Sequence, residues 1–279
     1  FSKKGIDFSI AFVNVIGKKL CNEKTAFETF EDLGKIDILV KQYDATKNLD
    51  VVGGNAIIAL QSSILKALAR FYELSVWKFL VGNKKRITMP MPVGNCIGGG
   101  VHVNQKKKTD IQEFLFIPQT PSFFDAQFIN TQAYNEAKKI IARTDKEWKN
   151  TFTDENAIAT TLPDEKVLEI VQEVRKNLSE KFNVPLEVGI DLDANSIFHH
   201  TGYFYINKKG PKKIFNLEEQ IDYVVELVKE YNLWYIEDAL YEEDFSGFSK
   251  LLKKIHTVKK NTLIVADDLV TTNPERLAR

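Results

Sequence analysis

Three short apolar segments in the second half of the chain each run directly into an acidic residue. The segments and their acids are 186–190 with Asp191, 233–236 with Glu237, and 262–266 with Asp267. Apolar residues at helical spacing occupy 167–178 and 221–228, so strands and amphipathic helices alternate. Repeated alternation of this kind predicts a parallel α/β sheet, either open or closed into a barrel.

The carboxyl ends of parallel strands share one rim, and the active sites of α/β barrels lie there. Three carboxylates on a partly dry rim repel one another unless a cation lies between them. Oxygen ligands select a hard cation, so the pattern predicts a Mg²⁺ site formed by Asp191, Glu237 and Asp267. The alternative is helix capping, which Asp238 or Asp268 could provide. Capping explains one acid well, but three in succession favour a metal site.

The first 85 residues have a different, mostly helical character. Apolar residues at spacings of three over 25–40 predict one helix with a buried face, and 56–71 predicts a second helix with Asn55 as its N-cap. Prolines and the glycine run 98–100 then introduce the strand-rich part. We therefore expect a small helical domain over 1–85 and a larger α/β domain over 86–279.

The composition limits the classes of function. Lys and Arg total 38, as do Asp and Glu, so the formal net charge is zero and a polybasic nucleic-acid binder is not expected. The apolar run 56–68 is interrupted by polar residues and is too short to span a membrane. Two cysteines do not form a secreted disulfide framework, which favours a reducing cytoplasm. The first residue is Phe rather than Met, which indicates a processed or incomplete chain.

Other polar motifs are less specific when each is taken alone. The glycine run 98–100 could approach a phosphate, but no P-loop lysine follows it, and His102 lies just after it. Gln112 and Glu113 could simply begin the apolar strand 114–117. Asp154-Glu155 lies in a loop, where a charged pair usually faces solvent.

In their order and spacing, the motifs together resemble the enolase family over nearly the whole chain. They are Gly-Gly-Asn-Ala-Ile at 53–57, the segment 91–102 ending in Gly-Gly-Gly-Val-His, Gln-Glu-Phe at 112–114, Asp-Glu at 154–155, Ile-Glu-Asp at 236–238, and Ala-Asp-Asp-Leu at 266–269. The resemblance implies an enolase-type (β/α)8 barrel, partial in this chain, preceded by a small, mostly helical part of the N-terminal capping domain.

The resemblance also implies an activity, the reversible dehydration of 2-phosphoglycerate to phosphoenolpyruvate in glycolysis and gluconeogenesis. It assigns Mg²⁺ to Asp191, Glu237 and Asp267, and the departure of the 3-hydroxyl as water to the acids Glu113 and Glu155. Contact with the small phosphorylated substrate is assigned to His102 and Gln112. It further implies a homodimer or a ring of dimers, with no nucleic-acid or membrane partner.

The chain departs from the family pattern at several points. The family's lysine base belongs to a strand after Asp267, so residues 1–279 alone are not expected to catalyse the reaction unless further chain or a partner supplies it. The family's Asp-Glu-Gly-Gly is Asp-Glu-Asn-Ala here. Without the two glycines, the backbone of this loop is less free to take positive φ. One alternative is a catalytically eroded enolase-like protein with a structural or binding role. Another is a different metal-dependent lyase of the same barrel superfamily.

Overall fold

The computed structural model describes residues 3–46, 48–83, 86–208, 210–211 and 213–279. The chain divides into two compact units, Phe1–Thr88 and Met89–Arg279. Within the described residues, no helix combines the length and the hydropathy needed to cross a bilayer.

The smaller unit is built from helices, as its sequence pattern predicts. They are α1 (Ile6–Asn22), a 3-10 turn (Glu31–Leu33), α2 (Gly34–Tyr43), α3 (Gly54–Phe71) and α4 (Val76–Val81). Its core is a cluster of buried apolar side chains from α1, α2 and α3, which includes Phe12, Ile16, Ile36, Val40 and Ile57.

The helix expected over 25–40 is wrong at its beginning, because α2 starts only at Gly34. The carboxylate of Asp32 accepts the backbone N–H groups of Glu28 and Thr29 at 2.8 and 2.9 Å. This local bonding stabilises a turn before the helix, as short acidic side chains commonly do.

The N-cap expected for the next helix is also wrong. Asn55 lies inside the first turn of α3, whose N-cap is Gly53. Gly53 has a φ of 84°, a positive value that glycine adopts easily. Phe71, the last residue of α3, is 78% exposed.

The larger unit contains ten strands and five helices among its described residues. The strands are β1 (Gly94–Gly98), β2 (Glu113–Pro118), β3 (Thr151–Phe152), β4 (Ile158–Ala159), β5 (Leu186–Asp191), β6 (Phe198–His199), β7 (Gly202–Phe204), β8 (Ile214–Phe215), β9 (Tyr235–Glu237) and β10 (Leu263–Val265). The helices are α5 (Phe123–Thr144), α6 (Asp164–Phe182), α7 (Leu217–Tyr231), α8 (Phe245–Val258) and α9 (Pro274–Leu277).

Seven strands form one open sheet in the order β10-β9-β5-β2-β1-β4-β3. Strands β5, β9 and β10 are parallel to one another, as predicted, and β4 is parallel to β1. The expectation of a parallel sheet does not hold for β3, which is antiparallel to β4, or for β2, which is antiparallel to both of its neighbours. The reason is that β1 and β2 are joined by a loop without a crossover helix, and a parallel pair needs such a crossover.

Helices α5 to α8 contribute their apolar faces to the core beside this sheet. The predicted stripes are confirmed, because Val167, Leu168, Val171, Val174 and Leu178 of α6 are all buried, as are Ile221, Val224, Val225 and Val228 of α7. The short strands β6, β7 and β8 form a separate antiparallel sheet.

Candidate active site

Three acids occupy paired positions on three adjacent strands. Glu113 at the start of β2 is the register partner of Asp191 at the end of β5, and Asp191 is the partner of Glu237 at the end of β9. Because β2 runs antiparallel to β5, its first residue lies at the same rim as the last residues of the parallel strands. The acids therefore form a row along the carboxyl rim of the sheet.

Backbone hydrogen bonds beyond the strand ends hold this rim in place. The N–H of Gln112 donates to the carbonyl of Asp191 at 3.0 Å, and that of Leu192 donates to the carbonyl of Glu237 at 3.1 Å. The N–H of Asp238 continues the pattern to Val265 of β10 at 3.2 Å. The positions of the acids are thus fixed by the sheet rather than by flexible loops.

Asp267 lies two residues past the end of β10, and its position depends on Asp238. The carboxylate of Asp238 accepts the N–H groups of Asp267 and Asp268 at 3.1 and 2.9 Å. Asp238 and Asp268 therefore do not cap the following helices. Those caps are Asp244 for α8 and Asn273 for α9.

The surroundings of the acids in the row disfavour the charged carboxylate forms. Burial raises the pKa of Asp191 to about 8, the charges of Glu237, Asp238 and Glu113 add to this, and the N–H of Asp193 partly offsets it. Burial also raises the pKa of Glu237, despite a 2.6 Å hydrogen bond from the Tyr235 hydroxyl. Among the described residues, no lysine or arginine forms an ion pair with Asp191, Glu237 or Asp267. The row therefore needs a cation or protons to offset its charge.

A second group of polar side chains lies at the same end of β2. His102, Glu113 and Glu155 bring potential ligand atoms within 4.8 Å of one another. Burial, followed by the hydrogen bond and the charge of Glu155, raises the pKa of Glu113 to about 7. The Asp154 carboxylate bonds Nδ1 of His102 at 2.8 Å and fixes the imidazole.

The two groups differ in how tightly their members approach. Within the described part of the chain, Asp191, Glu237 and Asp267 do not form a set with all potential ligand atoms within 4.8 Å. They interact pairwise instead. The charge of Glu237 contributes to the raised pKa of Asp191, and the charge of Asp267 contributes to the raised pKa of Glu237. Glu113 joins the two groups, because it belongs to the close cluster and also raises the pKa of Asp191.

Gln112 lies between the row and the glycine-rich segment. Its Oε1 atom is buried and has no hydrogen-bond partner among the described residues, so it can accept a bond from a ligand. The glycine-rich segment passes close to Thr109 and Gln112, and only residues without a Cβ fit there. A Cβ on Gly99 would lie 1.7 Å from Oγ1 of Thr109, and one on Gly100 would lie 3.2 Å from Cα of Gln112.

Sequence reasoning missed several side chains that support the site. Asn95 of β1 donates to Glu155 at 3.4 Å, and Tyr235 and Asp154 bond Glu237 and His102. The role of Tyr235 could have been predicted from its position. It lies two residues before Glu237, so the two side chains face the same side of the sheet. The substituted Asn156 takes φ of 66°, so the loop keeps a left-handed residue without glycine, which asparagine tolerates.

Comparisons with known proteins show which family the chain resembles. The profile described as "Enolase, C-terminal TIM barrel domain" matches residues 86–279. The enolase of Thermoplasma acidophilum is 33% identical over 279 residues, which cover 100% of this chain and 66% of the relative. The enolase of Archaeoglobus fulgidus is 35% identical over 248 residues, covering 88% of this chain and 58% of the relative. That of Methanosphaera stadtmanae is 34% identical over 251 residues, covering 89% and 59%.

The fold and the site define an α/β barrel-type domain with an acidic site at its carboxyl rim. The chain belongs to the enolase family, as the match over most of its length shows. It spans 58% to 66% of the length of the three curated relatives above.

Proposed function

We propose that the protein is an enolase-type lyase that interconverts 2-phosphoglycerate and phosphoenolpyruvate with Mg²⁺ as its metal ion. The observation that carries the proposal is the row of Glu113, Asp191 and Glu237 on three adjacent strands, with His102 and Glu155 beside its first member. A scaffold without catalysis has no physical reason to keep so many poorly compensated carboxylates at one rim.

The chemistry of the donor set fits a hard divalent cation. Asp191, Glu237 and Asp267 offer only carboxylate oxygens. The pKa of Asp191 is raised by burial and by the charges of nearby carboxylates. These three residues would hold Mg²⁺. When bound, the ion supplies positive charge opposite the negative charge that develops on the substrate carboxylate as the C2 proton leaves.

The close cluster supplies the groups for departure of the 3-hydroxyl. Glu113, with a pKa of about 7, can hold a proton at neutral pH and give it to the hydroxyl as the C3–O bond breaks, so that water leaves. Glu155 is the second acid of this pair. His102 and Gln112 would bind the substrate, Gln112 through its unpartnered Oε1 atom. No residue of this chain is assigned as the base that removes the C2 proton.

The remaining features of the proposal follow from family membership. We place the protein in glycolysis and gluconeogenesis, in the cytoplasm, and in a homodimer or a larger ring of dimers. The substrate is a small phosphorylated acid rather than a macromolecule.

Calorimetric titration with Mg²⁺ and then with 2-phosphoglycerate tests the proposal. We expect the wild type to bind the metal first and the substrate only in its presence, and Glu237→Gln to weaken Mg²⁺ binding at least about tenfold. Glu226→Gln is the matched control, because Glu226 lies on the exposed side of α7 and pairs with Lys229. It should bind like the wild type.

An activity assay on the protein as it occurs in its source completes the test, with the ultraviolet absorbance of phosphoenolpyruvate as the signal. Formation of phosphoenolpyruvate that depends on Mg²⁺ and is lost in Glu155→Gln supports the lyase. Binding of metal and substrate without turnover supports the catalytically eroded alternative, and absence of metal binding contradicts the proposed site.

A further inference from the structure

A buried acid that belongs to neither group of the site contacts the segment that leads into it. Asp164 is the first residue of α6 and is completely buried. Its Oδ1 atom accepts the N–H groups of Asp110 and Ile111 at 2.9 and 3.3 Å. Its Oδ2 atom is buried and has no hydrogen-bond partner among the described residues.

The two peptide groups that Asp164 holds come directly before Gln112 and Glu113. On the other side, the N–H of Gln112 is held by Asp191 of β5, and the carbonyl of Gln112 accepts the N–H of Gly99 at 2.8 Å. The segment entering β2 is therefore fixed between α6 and β5. Without the carboxyl of Asp164, two buried N–H groups would lose their acceptor, at a cost that favours movement of this segment.

We propose that Asp164 is a positioning residue for Gln112 and Glu113. It acts through the peptide groups of Asp110 and Ile111, and it does not itself bind the substrate. Its effect on turnover rests on the proposed function, whereas its effect on the order of the segment does not.

The groups around Asp164 favour its neutral form. Burial raises the pKa of Asp164 to about 8, and the charges of Asp110 and Glu165 add to this, while the two backbone N–H groups act against it. The other titratable groups that feel this carboxyl are Tyr205 and Tyr223, whose own pKa values are raised mainly by burial. An uncharged carboxyl beside Asp110 is therefore the form present at neutral pH.

The neighbouring Asp110 is itself held by hydrogen bonds from a different segment of the chain. Its Oδ2 atom accepts the N–H groups of Asn207 and Lys208 at 2.6 and 2.9 Å, and the ammonium of Lys208 lies 5.0 Å from the ring centre of Tyr223. Ionisation of Asp164 places a second negative charge beside Asp110 in a dry environment. Burial and this repulsion raise the folded-state pKa of Asp164 to about 8, although the two N–H groups bond the charged carboxylate better. The packed form of the segment should therefore lose stability as the pH rises through about 8.

Hydrogen exchange at residue resolution, combined with steady-state kinetics, tests the positioning role. Asp164→Ala should increase the exchange rates of the amides of Gln112 and Glu113 at least about tenfold, and should lower kcat by about ten- to a hundredfold with a smaller change in KM. Asp164→Asn keeps the Oδ1 acceptor without an ionisable group, so both quantities should stay within about threefold of the wild type.

The matched control is Asp44→Ala in the smaller unit. Asp44 is a buried acid that also accepts two consecutive backbone N–H groups, those of Val51 and Val52, at 2.8 Å each. This variant should be destabilised but should leave kcat and the exchange of Gln112 and Glu113 unchanged. The inference is overturned if Asp164→Ala behaves in the same way, or if its kcat equals that of the wild type.

A third measurement decides the question if Asp164→Ala does not fold. Protection of Gln112 and Glu113, corrected for intrinsic exchange, should fall in the wild type between pH 7 and pH 9 but stay constant in Asp164→Asn. Equal pH profiles for the two proteins overturn the inference. If the protein as it occurs in its source shows no turnover, that result contradicts the proposed lyase, and the exchange data alone then decide the positioning role.

Discussion

At the scale of single residues, the site holds buried carboxylates that repel one another. Asp191 is 9% exposed, and the carboxylates of Glu113, Glu237 and Asp238 surround it without an ion-pairing base among the described residues. Burying like charges costs free energy that a bound cation can recover. If these acids hold a cation as proposed, the folded chain gives up stability for a binding site, as proteins commonly do.

The raised pKa of Asp191 predicts the pH dependence of stability. Between the unfolded pKa near 3.9 and the folded pKa of about 8, the folded protein binds more protons than the unfolded chain. In the presence of a chelator, this carboxyl therefore makes the free energy of unfolding fall as the pH rises through that range. Asp191→Asn removes the ionisation and should be more stable than the wild type at pH 8 by at least about 1 kcal/mol.

Urea titrations at pH 5 and pH 8 check this expectation. The difference between Asp191→Asn and the wild type should grow with pH in chelator and reverse in Mg²⁺, because the variant loses a ligand. A variant that is less stable than the wild type at pH 8 without metal would show that its carboxylate is compensated.

At the scale of elements, the loop between β1 and β2 decides how the site is assembled. It carries His102 and ends at Gln112, and it turns the chain back without a crossover helix. The turn is possible because Gly99 passes so close to Thr109 and to the carbonyl of Ile111 that a Cβ would lie 1.7 and 2.9 Å from them. A glycine run that could be taken for a phosphate loop is needed for packing.

Gly99→Ala should lower the free energy of unfolding by roughly 1–3 kcal/mol, because the methyl group forces the loop to shift. Gly17→Ala is the paired control, since Gly17 lies inside α1 and a Cβ there would meet no atom within 4 Å. The control should stabilise the protein by about 0.5–1 kcal/mol, the usual gain from replacing glycine in a helix. Denaturant titration of both variants gives the comparison, and equal effects would contradict the assigned packing role.

At the scale of the whole molecule, the large sheet is open, with β10 at one edge and β3 at the other. Leu263 of the edge strand β10 is 45% exposed, and its neighbours on the free edge have no strand beside them among the described residues. The site lies across the middle of the sheet, where β2, β5 and β9 are each paired on both sides. The acids of the row are therefore held by strands that fray least.

Binding of Mg²⁺ should stabilise this middle part of the larger unit. At a concentration one hundred times Kd, the ion should raise the free energy of unfolding by about 2.7 kcal/mol, since it binds only the folded state. The slowest-exchanging amides of β5 and α6 should then gain about a hundredfold in protection. Glu237→Gln should lower this gain in protection by about tenfold or more, and an equal gain in that variant would place the metal elsewhere.

Much of the site could be predicted from the sequence because these acids stand at the ends of recognisable apolar segments. Asp191 and Glu237 follow β5 and β9 as expected, and Glu113 begins β2. The helix ends were less predictable, since the turn before α2 depends on hydrogen bonds made by one aspartate, and the exposure of Phe71 depends on what α3 packs against.

The strands that carry acids can be recognised from the amino-acid order alone, because alternating strands and helices of this length allow little other than a layered α/β sheet with its strand ends at one rim. Three features depend on the folded chain: β2 is antiparallel to its neighbours, His102 and Glu155 approach Glu113, and Asp164 holds the segment before β2. These contacts join residues far apart in the chain. They depend on pairing direction and burial, which local sequence patterns do not specify.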